Sequence, residues 1–235
     1  MRHRVGKYLT RLACFLLGVS AIGIALFLFV YVFWKGRGVI SLSFLLDSPS
    51  GVPVGTDGGI FPALIGSIFL GGLSALMGGL LGIGAALYLA FYSDRKWLSV
   101  LVNTAILGLS GIPSILFGLV GYTLLIYKLG IGRSLLCASI SVAAMIVPFV
   151  SIRAKKIFEE KRRGYMEESL GLGLSKEYTL RKLILPHCAS ELLGTVALGM
   201  AYGMGAVAPI LYTGAVMQAD IPRKQIGRAS CRERV

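Results

Sequence analysis

The dominant pattern in this sequence is a series of long apolar runs separated by polar links. A helix needs about 20 mostly apolar residues to cross the hydrocarbon core of a bilayer. The five runs are Leu9–Trp34, Phe61–Tyr92, Trp97–Tyr127, Ser134–Ile152 and Leu192–Met217. The pattern predicts an all-α polytopic membrane protein with five transmembrane helices.

The links between the runs differ in charge, and this difference predicts an orientation. Lys and Arg gather near the N-terminus, in the link Ser93–Lys96 and above all in the long segment 153–189. The opposite side receives fewer basic residues, in the loops 35–60 and 128–133. Because basic loops tend to remain in the cytoplasm, we expect the N-terminus and segment 153–189 to be cytoplasmic.

Composition supports a membrane protein and argues against other classes. The 235 residues are 55% hydrophobic and only 15% charged, with a net charge of +13. The basic loops of a membrane protein account for that charge, so no nucleic-acid partner is expected. The sequence has no GxxxxGK[ST] phosphate loop, and Cys14, Cys137, Cys188 and Cys231 show no CxxC spacing. We therefore expect no catalytic residue, metal or cofactor on this chain.

Segment 153–189 predicts two short amphipathic helices joined by a glycine turn. Gly173 can adopt the positive φ that ends one helix before the next begins, and Pro186 is expected to end the second helix. An apolar stripe at helical spacing follows the turn and consists of Leu180, Leu183 and Ile184. Such a stripe needs a surface to bury it, and lipid headgroups or a groove in a partner protein both remain open.

The same segment resembles the cytoplasmic EAA loop of ABC importer permeases of the MetI-like family. The matching positions are Glu167, Gly173, Leu183, Leu185 and Pro186, while Glu168 and Ser169 replace the two alanines of the loop. In that family the loop lies in a cleft of the ATPase subunit. The resemblance therefore implies an ATPase-docking loop, which also includes Glu168 and Leu170.

Further stretches resemble phosphate-uptake permeases within that family. They are Gly58–Ser67, Ala85–Leu89, Gly111–Leu119 and Ala208–Leu211, in the order that the family has. The resemblance implies a non-catalytic translocation subunit of an ATP-driven phosphate importer in the bacterial cytoplasmic membrane. It also implies partners: a second homologous permease chain, two ATPase subunits that bind ATP and magnesium, and an extracytoplasmic phosphate-binding protein.

Two other functions remain open. An importer for another oxyanion, such as molybdate or sulfate, would share the same docking loop. A secondary transporter or channel would need no ATPase, and the amphipathic segment 153–189 argues against it.

The fifth run departs from the phosphate-permease pattern. The family carries an Arg, a Glu and a Thr where this chain has Tyr202, Ala206 and Val207. Either the partner permease supplies the polar groups, or the substrate or activity differs. A proline inside a span frees a backbone carbonyl, which can line a pathway. The residues expected along the translocation path are Pro113, Ser114, Pro148, Tyr202, Ala206 and Pro209.

Two pairs of glycines have the four-residue spacing of close helix contacts in membranes. They are Gly78 with Gly82 and Gly199 with Gly203. We expect each pair to lie against a neighbouring helix.

The last ten residues, Ile226–Val235, match the translation of a sequencing-library adapter. We expect them to be a non-native tail. The remaining residues 1–225 are then expected to form a single transmembrane permease domain that lacks the sixth helix of the family.

Overall fold

The computed structural model describes residues 2–50, 57–93 and 95–214. The predicted tail over 226–235 and the last three residues of the fifth apolar run lie outside the described residues. The chain divides into two compact units, residues 1–61 and residues 62–235, and each is described by itself.

The first unit is built around one long helix, α1 (Arg2–Gly36). Its stretch Thr10–Gly36 is 27 residues long and strongly apolar, which is enough to cross a bilayer. The predicted first span is therefore present as a helix.

A short helix and a strand pair complete the first unit. Helix α2 (Leu42–Leu46) begins after Ser41, whose Oγ accepts a hydrogen bond from the N–H of Phe44 at 3.1 Å and so caps the helix. Strands β1 (Pro49–Ser50) and β2 (Asp57–Gly58) pair antiparallel.

The second unit begins with one long helix, which a sharply bent pair follows. Helix α3 (Phe61–Phe91) is 31 residues long. Helices α4 (Lys96–Ser110) and α5 (Ser114–Gly121) meet at an angle of 103°, and a π-helical segment, Tyr122–Lys128, continues α5. Pro113 stands at the bend, where its ring excludes a continuous helix. The third predicted run is therefore a bent pair rather than one straight span.

Helix α6 (Leu135–Gly171) is the longest element, with 37 residues. We predicted that the fourth span ends at Ile152 and that a separate amphipathic helix follows, and this was wrong. The helix continues without a break because Ala154, Phe158 and Met166 extend its buried face beyond the point where charges begin. Pro148 lies inside α6 without ending it.

The chain returns from α6 through a second long helical path. Helix α7 (Lys176–Tyr178), a π-helical segment Thr179–Ile184 and α8 (Leu185–Met204) follow one another without a gap. Pro186 therefore does not end the helix, contrary to our prediction. It lies in the first turn of α8, directly after the wider π-helical turn that accommodates its missing N–H.

A final short helix closes the described chain. Helix α9 (Val207–Thr213) begins after a bend at Gly205 and Ala206. It packs closely on α5, because a Cβ added to Gly118 would lie only 2.8 Å from the Cα of Pro209.

Glycines bring α3 and α8 close to α6 from two sides. A Cβ added to Gly82 of α3 would lie 2.8 Å from the Cβ of Val150, and one added to Gly203 of α8 would lie 2.8 Å from Cδ1 of Ile146. The predicted glycine pairs Gly78 with Gly82 and Gly199 with Gly203 all face α6 in this way. Close helix contacts at these pairs are confirmed.

The predicted number of spans agrees with the described helices. Within those residues, four helical stretches are long and apolar enough to cross a membrane, in α1, α3, α6 and Lys176–Met204. The bent pair of α4 and α5 supplies the fifth if it counts as one span. An all-α polytopic membrane protein is confirmed.

Candidate functional site

The turn between α6 and α7 is the glycine turn that the sequence predicted. Gly173 has φ of +79°, in the left-handed region that favours glycine. Its N–H donates to the carbonyl of Leu170 at 3.0 Å, and the N–H of Leu174 donates to the carbonyl of Ser169 at 3.0 Å. These two bonds form a Schellman motif. Ser175 then caps α7 by accepting from the N–H of Tyr178, so backbone geometry is fixed on both sides of the turn.

The turn presents apolar side chains to the outside. Leu172 is 80% exposed, and Leu170 and Tyr178 are each 52% exposed. The carboxylates of Glu167 and Glu168 are exposed on the last turns of α6. We call this surface, formed by Glu167, Glu168, Leu170, Leu172 and Tyr178, the tip. Exposed leucines on a rigid turn at the end of a charged helix provide a surface suited to a protein partner.

The apolar stripe that we expected at the partner surface is buried inside this chain instead. Leu180 and Ile184 are 3% and 0% exposed and pack with Phe158, Met166 and Cys188 of the same unit. The stripe can pack on α6 because α7 and α8 run antiparallel to that helix. Of the other predicted docking residues, Leu183 and Leu185 are half-buried and Pro186 is exposed. The tip, rather than the stripe, is therefore the exposed part of this segment and the candidate docking surface.

Three basic side chains on α6 connect it to three neighbouring helices. Nζ of Lys155 donates to Oδ1 of Asn103 in α4 at 2.9 Å. Nζ of Lys161 lies 2.9 Å from a carboxylate oxygen of Glu191 in α8. The third contact joins Nη1 of Arg162 to the carbonyl of Ala90 in the last turn of α3 at 2.8 Å, where a helix has unpaired carbonyls. These contacts tie α6 to α3, α4 and α8.

A cavity of about 200 Å³ lies further along α6, beside the bend between α4 and α5. Its apolar wall includes Phe117, Met145, Pro148 and Phe149. Its polar side chains are Ser110, Arg153 and Tyr202. The ring of Phe149 stacks on Tyr202 with centroids 5.3 Å apart, and the guanidinium of Arg153 lies 4.6 Å from the centroid of the same ring.

The structure brings some of the predicted path residues together and separates others. Pro148 and Tyr202 line the same cavity, and Pro113 and Ser114 follow directly after its lining residue Ile112. Ala206 and Pro209 are not part of this lining. Pro209 is buried against α5.

Sequence reasoning missed Arg153. We counted it as the first charge of a cytoplasmic segment because it follows the fourth apolar run. The available signal was its spacing: Arg153 lies four residues after Phe149, on the same face of a helix that continues.

Comparison with known proteins identifies the class. Residues 78–228 match the family described as binding-protein-dependent transport system inner membrane component, and the chain belongs to that family. It is a membrane permease component of the ABC importer type, as the EAA-like loop predicted.

Individual relatives show which permeases of that family the chain is similar to. The chain is 31% identical over 159 residues to "Phosphate transport system permease protein PstA 2" of Mycobacterium bovis, covering 68% of this chain and 52% of that protein. It is 31% identical over 207 residues to "Probable ABC transporter permease protein YqgH" of Bacillus subtilis, covering 82% of this chain and 65% of that protein. "Phosphate transport system permease protein PstC" of Mesorhizobium japonicum is 26% identical over 228 residues. The chain spans about half of the length of the first of these relatives.

Proposed function

We propose that this chain is a translocation subunit of an ATP-driven importer of inorganic phosphate, and that its tip docks on an ATPase subunit. The observation that carries this proposal is the exposure of Leu170 and Leu172 on a hydrogen-bonded glycine turn. That turn ends a helix which runs without a break to the cavity. ATP is bound and hydrolysed on the ATPase, with its magnesium, and the chain itself is not catalytic.

Substrate, orientation and partners belong to the same proposal. The names of several relatives refer to phosphate transport. The excess of Lys and Arg along 153–189 supports a cytoplasmic tip and a cytoplasmic N-terminus. A second homologous permease, a second ATPase subunit and an extracytoplasmic phosphate-binding protein complete the importer in the bacterial cytoplasmic membrane.

Docking is tested by the pair Gly173→Val and Gly164→Val. A β-branched residue in the left-handed conformation of Gly173 costs at least about 1–2 kcal/mol, so the turn should rearrange. Gly164 lies outside the tip on α6, lacks a positive φ and has open space around it, so the same substitution there should leave the turn and the tip intact. With the tagged chain in membranes, Gly173→Val should insert normally but lose the co-purifying ATPase of the transporter, whereas Gly164→Val should retain it. If the membrane-inserted Gly173→Val chain still co-purified the ATPase at the normal level, the docking proposal would be wrong.

The substrate is tested by uptake in cells that lack their own phosphate importer and express this chain with its partner subunits. Labelled phosphate should accumulate, and excess molybdate or sulfate should not compete. If molybdate or sulfate accumulated instead, the substrate would be that oxyanion and not phosphate. Uptake that survives ATP depletion but collapses with the membrane potential would identify a secondary transporter.

A further inference from the structure

Arg153 forms no ion pair within the part of the chain that the structure describes. Among the described residues, Lys155 and Lys161 form ion pairs with Glu159 and Glu191, but no carboxylate pairs with Arg153. Its contact is the face of Phe149, which lines the cavity with it. A guanidinium cannot lose its charge in a protein, so the cavity carries a permanent positive charge.

The position of Arg153 along α6 shows which residues of the neighbouring helix surround that charge. On α6, Arg153 lies between Val150, which packs on Gly82 of α3, and Phe158, whose ring meets Phe91 edge to face at 5.7 Å. The nine residues of α3 that follow Gly82 are all uncharged and reach Phe91, a distance of about 13 Å. Arg153 therefore lies beside an uncharged section of α3, while it is itself exposed and Lys155 and Lys156 follow it on α6. A guanidinium that lines a cavity and forms no ion pair among the described residues is open to an anion.

The other polar groups of the cavity suit the same ligand. Tyr202 brings a hydroxyl that can donate a hydrogen bond, and the Ser110 hydroxyl, which now donates to the carbonyl of Leu107 at 2.7 Å, can rotate toward the cavity. A guanidinium offers a planar pair of donors that matches two oxygens of one anion. The volume of about 200 Å³ is below the lower limit of about 300 Å³ for drug-sized ligands, so the ligand is small.

We propose that this cavity binds a small tetrahedral oxyanion, with Arg153 as its charge partner and Tyr202 and Ser110 as hydrogen-bond donors. The assignment rests on the proposed function as an oxyanion importer. It also offers a source for the positive charge that the fifth run lacks. Where the resemblance implies an Arg, this chain carries Tyr202, and the positive charge reaches the cavity from the neighbouring helix α6 instead.

The test measures the electrostatic potential of the cavity through a cysteine at Ile112, which lines it. In the full-length Ile112→Cys chain, expressed with its partner subunits in membrane vesicles, Cys14 and Cys231 are replaced by Ser. The rates of modification by an anionic and a cationic methanethiosulfonate of similar size are compared. Arg153→Gln should lower the anionic-to-cationic rate ratio at least about tenfold, as expected for removing a unit charge at close range. Lys156→Gln is the matched control, because it removes a charge from an exposed position of α6 that does not line the cavity.

Protection by added anions then identifies the ligand. Millimolar phosphate should slow modification of Ile112→Cys several-fold, and chloride at the same ionic strength should not. Arg153→Lys should keep the rate ratio but weaken protection, because an ammonium lacks the paired donors.

Two results would overturn the anion site: an unchanged rate ratio in Arg153→Gln, or no protection by phosphate, sulfate or molybdate. Neither result affects docking or uptake, which are measured separately. Protection by sulfate or molybdate but not by phosphate would uphold the site and reject phosphate as the substrate.

Discussion

The contact between Gly82 and Val150 allows a quantitative prediction about packing. The substitution Gly82→Ala places a methyl group 2.8 Å from the Cβ of Val150 and 3.1 Å from the carbonyl oxygen of Val147. Carbon atoms in good contact are about 3.5–4.0 Å apart, so α3 and α6 must separate by several tenths of an ångström or more. Such overpacking costs about 1–3 kcal/mol.

The neighbouring glycine provides the control. Gly84 lies on the same helix, and a Cβ added there would meet nothing within 4 Å, so Gly84→Ala gains helix propensity without a clash. Since the propensity gain of up to about 1 kcal/mol is common to both variants, their difference isolates the packing cost. We expect Gly82→Ala to be less stable than Gly84→Ala by about 1–3 kcal/mol.

Thermal unfolding in detergent measures this difference. Cys137 and Cys188 are 0% exposed, so a dye that fluoresces on reaction with thiols reports their exposure. Cys14 is exposed, so Cys14 and Cys231 are replaced by Ser in all variants. Gly82→Ala should unfold several degrees below Gly84→Ala, because of these two glycines only Gly82 meets α6 at this distance. Equal unfolding temperatures of the two glycine variants would refute the close contact.

Two further predictions concern the contacts that α6 makes with its neighbours. Arg162→Gln should destabilise the end of α3 by about 1 kcal/mol, because the carbonyl of Ala90 loses a charged donor; hydrogen exchange near Ala90 should increase, whereas Arg163→Gln, one residue further on, should leave it unchanged. Lys161→Gln and Glu191→Gln should show a coupling in a double-mutant cycle that shrinks in high salt, because both side chains are partly exposed. A coupling that is zero at low salt, or insensitive to salt, would contradict the ion pair.

Features encoded locally could be predicted from the sequence. Run lengths predicted the spans, and Gly173 predicted its turn, because a positive φ is a property of one residue and its immediate hydrogen bonds. The glycine pairs were also local signals, although their common partner α6 was not.

Features that depend on tertiary packing could not be predicted in the same way. We ended the fourth span where charges begin, but a helix continues when one face stays buried, as Ala154 and Phe158 show. The stripe of Leu180 and Ile184 was correctly identified as apolar, yet its pattern does not say whether the covering surface belongs to this chain or to a partner. The position of Arg153 in the cavity depends on the rotation of α6 relative to α4 and α8, which no local pattern encodes.

The unbroken length of α6 gives it the mechanical properties of a lever. Gly82 and Gly199 contact Val150 from two sides, which makes Val150 the reference point for a tilt of α6. The polar contacts of α6 to α3, α4 and α8 would carry those helices with it. From Val150 the long arm to Gly171 measures about 31 Å and the short arm to Met145 about 8 Å. A rigid tilt of about 5° would move the tip by about 3 Å and the cavity wall by only about 0.7 Å. A tilt about Val150 would thus move the tip about four times as far as the cavity wall, so a wide motion of the proposed partner would become a small one around the proposed ligand.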